Sequence, residues 1–222
     1  MKIKPNTNNE NLTRKIIGID EESKKKKLDV IEEKPLTLFL NDQEILTMMT
    51  VNDFPKYLAL GYLLNQNMIS KRTKISKVEY DDDLNVVIVR TKKKISYQEK
   101  LKKKILTSGC AQGTLFGDLM DNFSKVKFNL KSKIKISWIY ELSKAINLTP
   151  SLYLKAGAIH GCVLCKKNKP LIYMEDVGRH NAIDKIAGYM MLKKINSYDK
   201  IFYTTGRLTS EMVIKSVKMK IP

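Results

Sequence analysis

The sequence predicts an α/β domain preceded by a smaller α+β domain, and three observations carry that expectation. Between Lys34 and Arg90, apolar residues at period two and polar turns surround one helical pattern. The lysine-rich residues 92–104 interrupt that pattern. From residue 153 onward, extended and helical patterns alternate, as in a sheet covered by helices.

Residues 1–27 are polar, end in Lys24-Lys25-Lys26-Lys27 and show no sustained apolar period, so they read as a flexible basic tail. Leu36, Leu38 and Leu40 alternate with Thr37 and Phe39. Asn41-Asp42 supplies a turn and Ile45-Leu46 begins a second extended piece, which makes a β-hairpin. Asn52-Asp53 offers an N-cap, with Pro55 in the first turn of a helix that runs to Asn65 and buries Tyr57, Leu60 and Leu64. Strands at 75–80 and 84–91 flank the Asp81-Asp82-Asp83 turn and complete a small α+β domain over 28–97.

The second domain is expected over 98–222. It begins with a helix-like segment at 114–123 and a helix at 136–147 that stops before Pro150. Strands at 153–164 and 170–176, a helix at 180–194, a strand at 200–205 and a helix at 209–219 follow. Ile183, Ile186, Ala187, Met190 and Met191 recur at helical spacing and face a sheet.

A chain of 222 residues with 43% hydrophobic content can bury a real core. No apolar run approaches the ~20 residues that span a bilayer, and the N-terminus lacks a signal-peptide pattern. A cytoplasmic protein without membrane attachment is expected. The net charge of +18 raises nucleic acid as a partner. However, only five of the 41 basic residues are Arg, the better residue for bidentate contacts, so solvated lysine faces are favoured over nucleic-acid binding.

The chemistry concentrates in glycine turns. Gly178-Arg179-His180-Asn181 follows a strand and opens a helix, and Thr205-Gly206-Arg207 repeats that context about thirty residues later. A strand–helix–strand crossover makes the strands parallel and brings both Gly-Arg turns to one sheet edge. Helix N-termini with one Arg each make a cradle for phosphates. The competing reading is two ordinary turns whose arginines pair with Glu175 or Asp184. Cys110 sits in a third turn, Ser108-Gly109-Cys110, where basic surroundings favour the thiolate. Cys162 and Cys165 lie three apart in a strand, hence on opposite faces, which favours core cysteines over a zinc site with His160. His160 and His180, the two histidines, adjoin the same edge and are candidates for proton transfer or hydrogen bonding.

Residues 174–185, Met-Glu-Asp-Val-Gly-Arg-His-Asn-Ala-Ile-Asp-Lys, closely resemble the signature of the FdhD family of formate dehydrogenase accessory proteins. Glu33-Lys-Pro-Leu with Asn41 and Leu58-Ala-Leu-Gly-Tyr, Thr107-Ser-Gly-Cys, Gly157-Ala-Ile-His, and Thr205-Gly-Arg followed by Ser210-Glu211 match in the same order. The resemblance covers about residue 30 to the end. It implies a cytidine-deaminase-like α/β/α domain preceded by the small α+β domain. It also implies a sulfurtransferase-type sulfur carrier rather than a free-standing metabolic enzyme. Sulfur would pass from a cysteine desulfurase, as a persulfide on Cys110, to the molybdenum bis(molybdopterin guanine dinucleotide) cofactor of formate dehydrogenase.

In that reading Cys110, His160 and His180 do the chemistry. Gly178, Arg179, His180, Asn181, Gly206 and Arg207 hold the cofactor's phosphates, and a guanine nucleotide such as GDP mimics it. Many members carry Cys-x-x-Cys where this chain has Cys110 followed by Gln112 and Gly113, and members usually extend beyond the position of Pro222. The C-terminal domain is therefore expected to be truncated relative to the family. A homodimer stays open. The other readings are a cofactor-holding chaperone without persulfide chemistry and a basic nucleic-acid-binding protein. Deamination is disfavoured because Gly161 and Cys162 follow His160, where a zinc deaminase needs His-x-Glu.

Overall fold

Side-chain closure of a turn at Asp20 gives the first residues a structure in place of the expected tail. The computed structural model describes residues 1–92, 104–106, 114–116 and 132–222. Asp20 Oδ1 accepts from the amides of Glu22 at 3.0 Å and Lys24 at 2.8 Å, and its second oxygen pairs with Lys26 at 2.8 Å. Strands β1 (Thr13–Ile19) and β2 (Lys25–Ile31) therefore pair antiparallel. Ile17, Ile19 and Leu28 stay exposed, so no buried period marks this hairpin in the sequence. Further upstream, Ile3 bridges Ile172, with Lys2 donating to the Leu171 carbonyl at 2.6 Å.

The alternating leucines build β3 (Lys34–Leu40), which pairs antiparallel with β4 (Gln43–Thr50). The helix α1 (Pro55–Asn65) follows, then β5 (Ile75–Asp81) and β6 (Val86–Thr91). The four-stranded sheet has the order β4-β3-β6-β5. Asn52 does not cap α1. Its amide binds the Tyr80 hydroxyl and Asn85, and Phe54 heads the helix at φ 55°. Short strands β7 (Lys104–Leu106) and β8 (Thr114–Phe116) pair antiparallel, so the segment expected to be helical from 114 begins extended. Cys110 and the charged boundary up to residue 103, apart from Lys92, lie outside the described residues.

Helix α2 (Ile136–Asn147) matches its expected bounds. The expected strand at 153–164 is instead two elements, α3 (Leu152–Ala156) and β9 (His160–Lys166). Ser151 Oγ caps α3 by accepting from Leu154, and Gly157 ends it at φ 68°, open to glycine at no steric cost. Leu152 and Leu154 imitate a period of two, which is why the helix reads as strand.

Next come β10 (Lys169–Asp176), α4 (Arg179–Leu192), β11 (Ile201–Thr204) and α5 (Ser210–Lys218). The sheet order is β10-β9-β11. Leu142 and Ile146 of α2 cover one face through Val163, Cys165 and Tyr173. On the other face, Ile183 and Ile186 of α4 and Met212 of α5 meet Leu164, Ile172 and Met174. Met191, expected on this sheet, packs instead on the core of the first half.

Helices α1 and α4 pack back to back between the two sheets, and residues 58–65 and 179–190 are buried without exception. A methyl on Gly61 would stand 1.7 Å from the Asp184 carbonyl oxygen, and one on Gly188 1.9 Å from that of Tyr57. Backbone touches backbone, which only glycine permits. Alanine is ordinarily the better helix former by about 1 kcal/mol. Here the sign should reverse: Gly188→Ala is expected to lower stability by at least about 2 kcal/mol through overpacking, measured from urea unfolding midpoints. An unchanged or raised midpoint would contradict the close crossing.

Candidate functional site

Strand polarity decides which residues meet. β9 runs antiparallel to both neighbours, so its first residue lies at the edge where β10 and β11 end. His160 stands opposite Asp176, and Cys162 opposite both Met174 and Thr204. The strands leading into the two Gly-Arg turns are thus parallel in direction, as expected, but are not neighbours. The turns still share one edge, because an intervening antiparallel strand leaves the outer two pointing the same way.

The turns make contact. A methyl on Gly206 would stand 3.1 Å from Arg179 Cβ, 3.2 Å from its Cδ and 3.4 Å from His160 Nδ1. Thr205 ties this turn to β9 by accepting from the Gly161 amide at 2.9 Å and donating its own amide to the Gly161 carbonyl at 3.0 Å. Arg179 is buried and Arg207 exposed. Burial, and then the charges of Arg179 and Arg207, hold His160 below the usual histidine range, so its imidazole is neutral at pH 7.

His180 sits in the first turn of α4, 7% exposed. Burial, followed by the charges of Lys215, Arg179 and His160, pulls its pKa down to about 3. Its Nε2 lies 2.9 Å from Glu211 Oε2, at contact distance but not aligned as a hydrogen bond. Glu211 is the residue that motif reasoning placed only within a matching segment. Its distance of four from Arg207 at a helix start was the available signal.

Beneath the turns, Asp176 is a buried hub. It accepts from Thr50 at 2.5 Å, Asn181 at 3.0 Å and the Gly178 amide at 3.4 Å, and pairs with fully buried Lys185 at 2.6 Å. Asn181 also donates to the Met49 carbonyl at 2.8 Å. Its amide nitrogen therefore serves to hold the turn against β4, a different task from facing a ligand. The carboxylates proposed as ordinary partners for the arginines are engaged elsewhere. Glu175 accepts from the amides of Leu152 and Tyr153, and Asp184 binds Lys215 and Asn65 at 2.6 Å each.

Cys162 and Cys165 belong to different core clusters on opposite faces of the sheet, as their spacing requires. Burial pushes both thiols up to about 12, which leaves them protonated and poor nucleophiles at neutral pH. One cavity of about 530 Å³ beside β11 and α5 is lined in part by Leu208, next to Arg207, and another of about 570 Å³ lies between α1 and β5. Among the described residues no helix is long and apolar enough to cross a membrane.

Residues 31–222 match the FdhD/NarQ family. A sulfur carrier protein FdhD of Bacillus pumilus is 30% identical over 194 residues, spanning 87% of this chain and 74% of the relative. Another, of Wolinella succinogenes, is 31% identical over 196 residues, spanning 87% and 68%. A crystal structure of a Desulfotalea psychrophila protein, assigned as a formate dehydrogenase accessory protein, superposes with a TM-score of 0.74. It is 24% identical and the match covers 95% of this chain and 80% of that one, so the α/β fold is shared.

The depressed pKa of His180 has a measurable consequence. Free histidine titrates near 6.5. Between that value and about 3 the unfolded chain binds the proton and the folded chain does not. Stability therefore falls as pH drops through this window, by up to about 1.4 kcal/mol per pH unit. Asp184 and Glu211, raised by burial, act in the opposite sense. Urea midpoints from pH 7 to 5 are expected to fall less steeply in His180→Gln than in the wild type, and identical slopes would mean that His180 titrates normally.

Proposed function

Because the chain belongs to the FdhD/NarQ family, we propose that it is a sulfur carrier for formate dehydrogenase maturation, with Cys110 as the carrying residue. The Cys110 thiolate attacks the sulfane sulfur of a cysteine desulfurase persulfide. A new S–S bond forms on Cys110, the donor's S–S bond breaks, and the donor leaves as its thiolate, which takes up the proton that Cys110 released on ionising. The client is the molybdenum bis(molybdopterin guanine dinucleotide) cofactor, which is the substrate of the second transfer.

The observation that carries this reading is the meeting of both Gly-Arg turns with His160 at one sheet edge. Arg179, Arg207 and the first-turn amides of α4 supply positive charge for the cofactor's phosphates. Neutral His160 can accept or donate a proton at that edge, while the His180 carbonyl ties the start of α4 to α5 by accepting from Lys215 at 3.5 Å. A sheet with α2 on one face and α4 and α5 on the other supports the finer cytidine-deaminase-like description of the domain. The high thiol pKa values of Cys162 and Cys165 support Cys110 as the sulfur acceptor by leaving those two residues unreactive.

Intact-protein mass spectrometry after incubation with a cysteine desulfurase and cysteine tests the carrier step. The wild type is expected to gain sulfur that Cys110→Ser does not, and Cys110→Ser should abolish formate dehydrogenase activity in a complemented strain. Arg207→Ala should still load sulfur yet fail to mature the dehydrogenase. Sulfur retained on Cys110→Ser, together with full maturation, would refute the assignment.

A further inference from the structure

The last two residues of β4 reach the first Gly-Arg turn from the other half of the chain. Thr50 is fully buried and donates its hydroxyl to Asp176 Oδ2 at 2.5 Å, while its oxygen accepts from the Asn52 amide at 3.1 Å. Met49 offers its carbonyl to the Asn181 side chain at 2.8 Å. Adjacent residues of β4 thus hold the turn, one through Asn181 and the other through Asp176.

Asp176 divides its oxygens between two tasks. Oδ1 faces the turn, accepting from Asn181 at 3.0 Å and from the Gly178 amide at 3.4 Å. Oδ2 takes Lys185 at 2.6 Å together with Thr50. Lys185, Asn181 and Gly178 lie in α4 or at its N-cap and move with it. Among the described residues, Thr50 is the partner of this carboxylate that comes from the first half. Without its hydroxyl, the carboxylate plane keeps only contacts that travel with α4, and the Asn52 amide loses its acceptor.

The place of this turn matters because the second turn is so close. Arg179 directly follows Gly178, and its Cβ and Cδ lie 3.1 and 3.2 Å from where a methyl on Gly206 would stand. There is no slack between the turns, so a shift of one changes the spacing of both arginines. Groups arranged for one ligand lose affinity steeply when displaced. We propose that Thr50 is a positioning residue for phosphate binding at the Gly-Arg turns, acting through Asp176 and touching no ligand itself. This rests on the reading that phosphates of the client meet Arg179 and Arg207. The first half of the chain thereby takes part in a site whose phosphate-facing residues all lie in the second.

Pyrophosphate titrated calorimetrically into the full chain reads the turns without a base or a second protein. Thr50→Val keeps the shape and removes the hydroxyl. It is expected to weaken pyrophosphate about tenfold, while Thr50→Ser stays within about twofold of the wild type. Leu38→Ala controls for lost stability alone, because it empties part of the first-half core and should leave the affinity unchanged. His160 gives a readout that needs no ligand. Its NMR titration midpoint, held down in part by the Arg179 charge, should rise in Thr50→Val and stay in place in Leu38→Ala. If Thr50→Val does not fold, Thr50→Ala, which lets a water reach Asp176, takes its place with the same expected direction. Equal affinity in wild type and Thr50→Val, an equal loss in Leu38→Ala, or an unmoved His160 midpoint in Thr50→Val would overturn the inference. The phosphate reading would still stand if binding needs Arg207. Wild-type binding that is absent, or indifferent to Arg207→Ala, would overturn the phosphate reading and the inference with it.

Discussion

The contact of Gly61 with Gly188 is the constraint on which the rest of the structure depends. Because the backbones of α1 and α4 touch, no side-chain layer separates the two halves. Both helices must then be buried on all sides, one against the four-stranded sheet and the other against the three-stranded one. Burying α4 takes Asp184 and Lys185 out of water as well. Each must find a charged partner inside, since an unpaired buried charge costs several kcal/mol.

Those partners come from both halves of the chain. Lys185 pairs with Asp176, which also binds Thr50 of β4, and Asp184 joins Asn65 of α1 to Lys215 of α5. Lys218 reaches the carbonyls of Leu64 and Asn65 and the side chain of Asn67, at the end of α1. Such pairs add little net stability against an apolar alternative. Their effect is to set position: they lock the first turn of α4, and with it Arg179 and His180, against β4 and α5. A site that joins the two Gly-Arg turns to His160 needs that rigidity.

Much of the architecture was legible because it follows from local pattern. The leucines of β3, the helical spacing in α4 and the Pro150 stop after α2 each report on neighbours within a few residues. The N-terminal hairpin was missed because its apolar side chains stay exposed and its turn depends on a single aspartate, Asp20. The helix α3 was misread because Leu152 and Leu154 sit two apart, although Ser151 and Gly157 mark its ends. The packing of Met191 on the first-half core rather than on the sheet needed the partner helix to be known.

By itself the sequence determined the family, the strand-turn-helix context of both Gly-Arg pairs and the separation of Cys162 from Cys165 across a strand. These are properties of short segments, where period and turn chemistry suffice. Only the tertiary structure decided that β9 lies between β10 and β11, that His160 joins Arg179 and Gly206, and that Glu211 closes on His180. Residues 160, 179, 206 and 211 are far apart along the chain, and their meeting depends on strand order and helix packing, which no local pattern encodes.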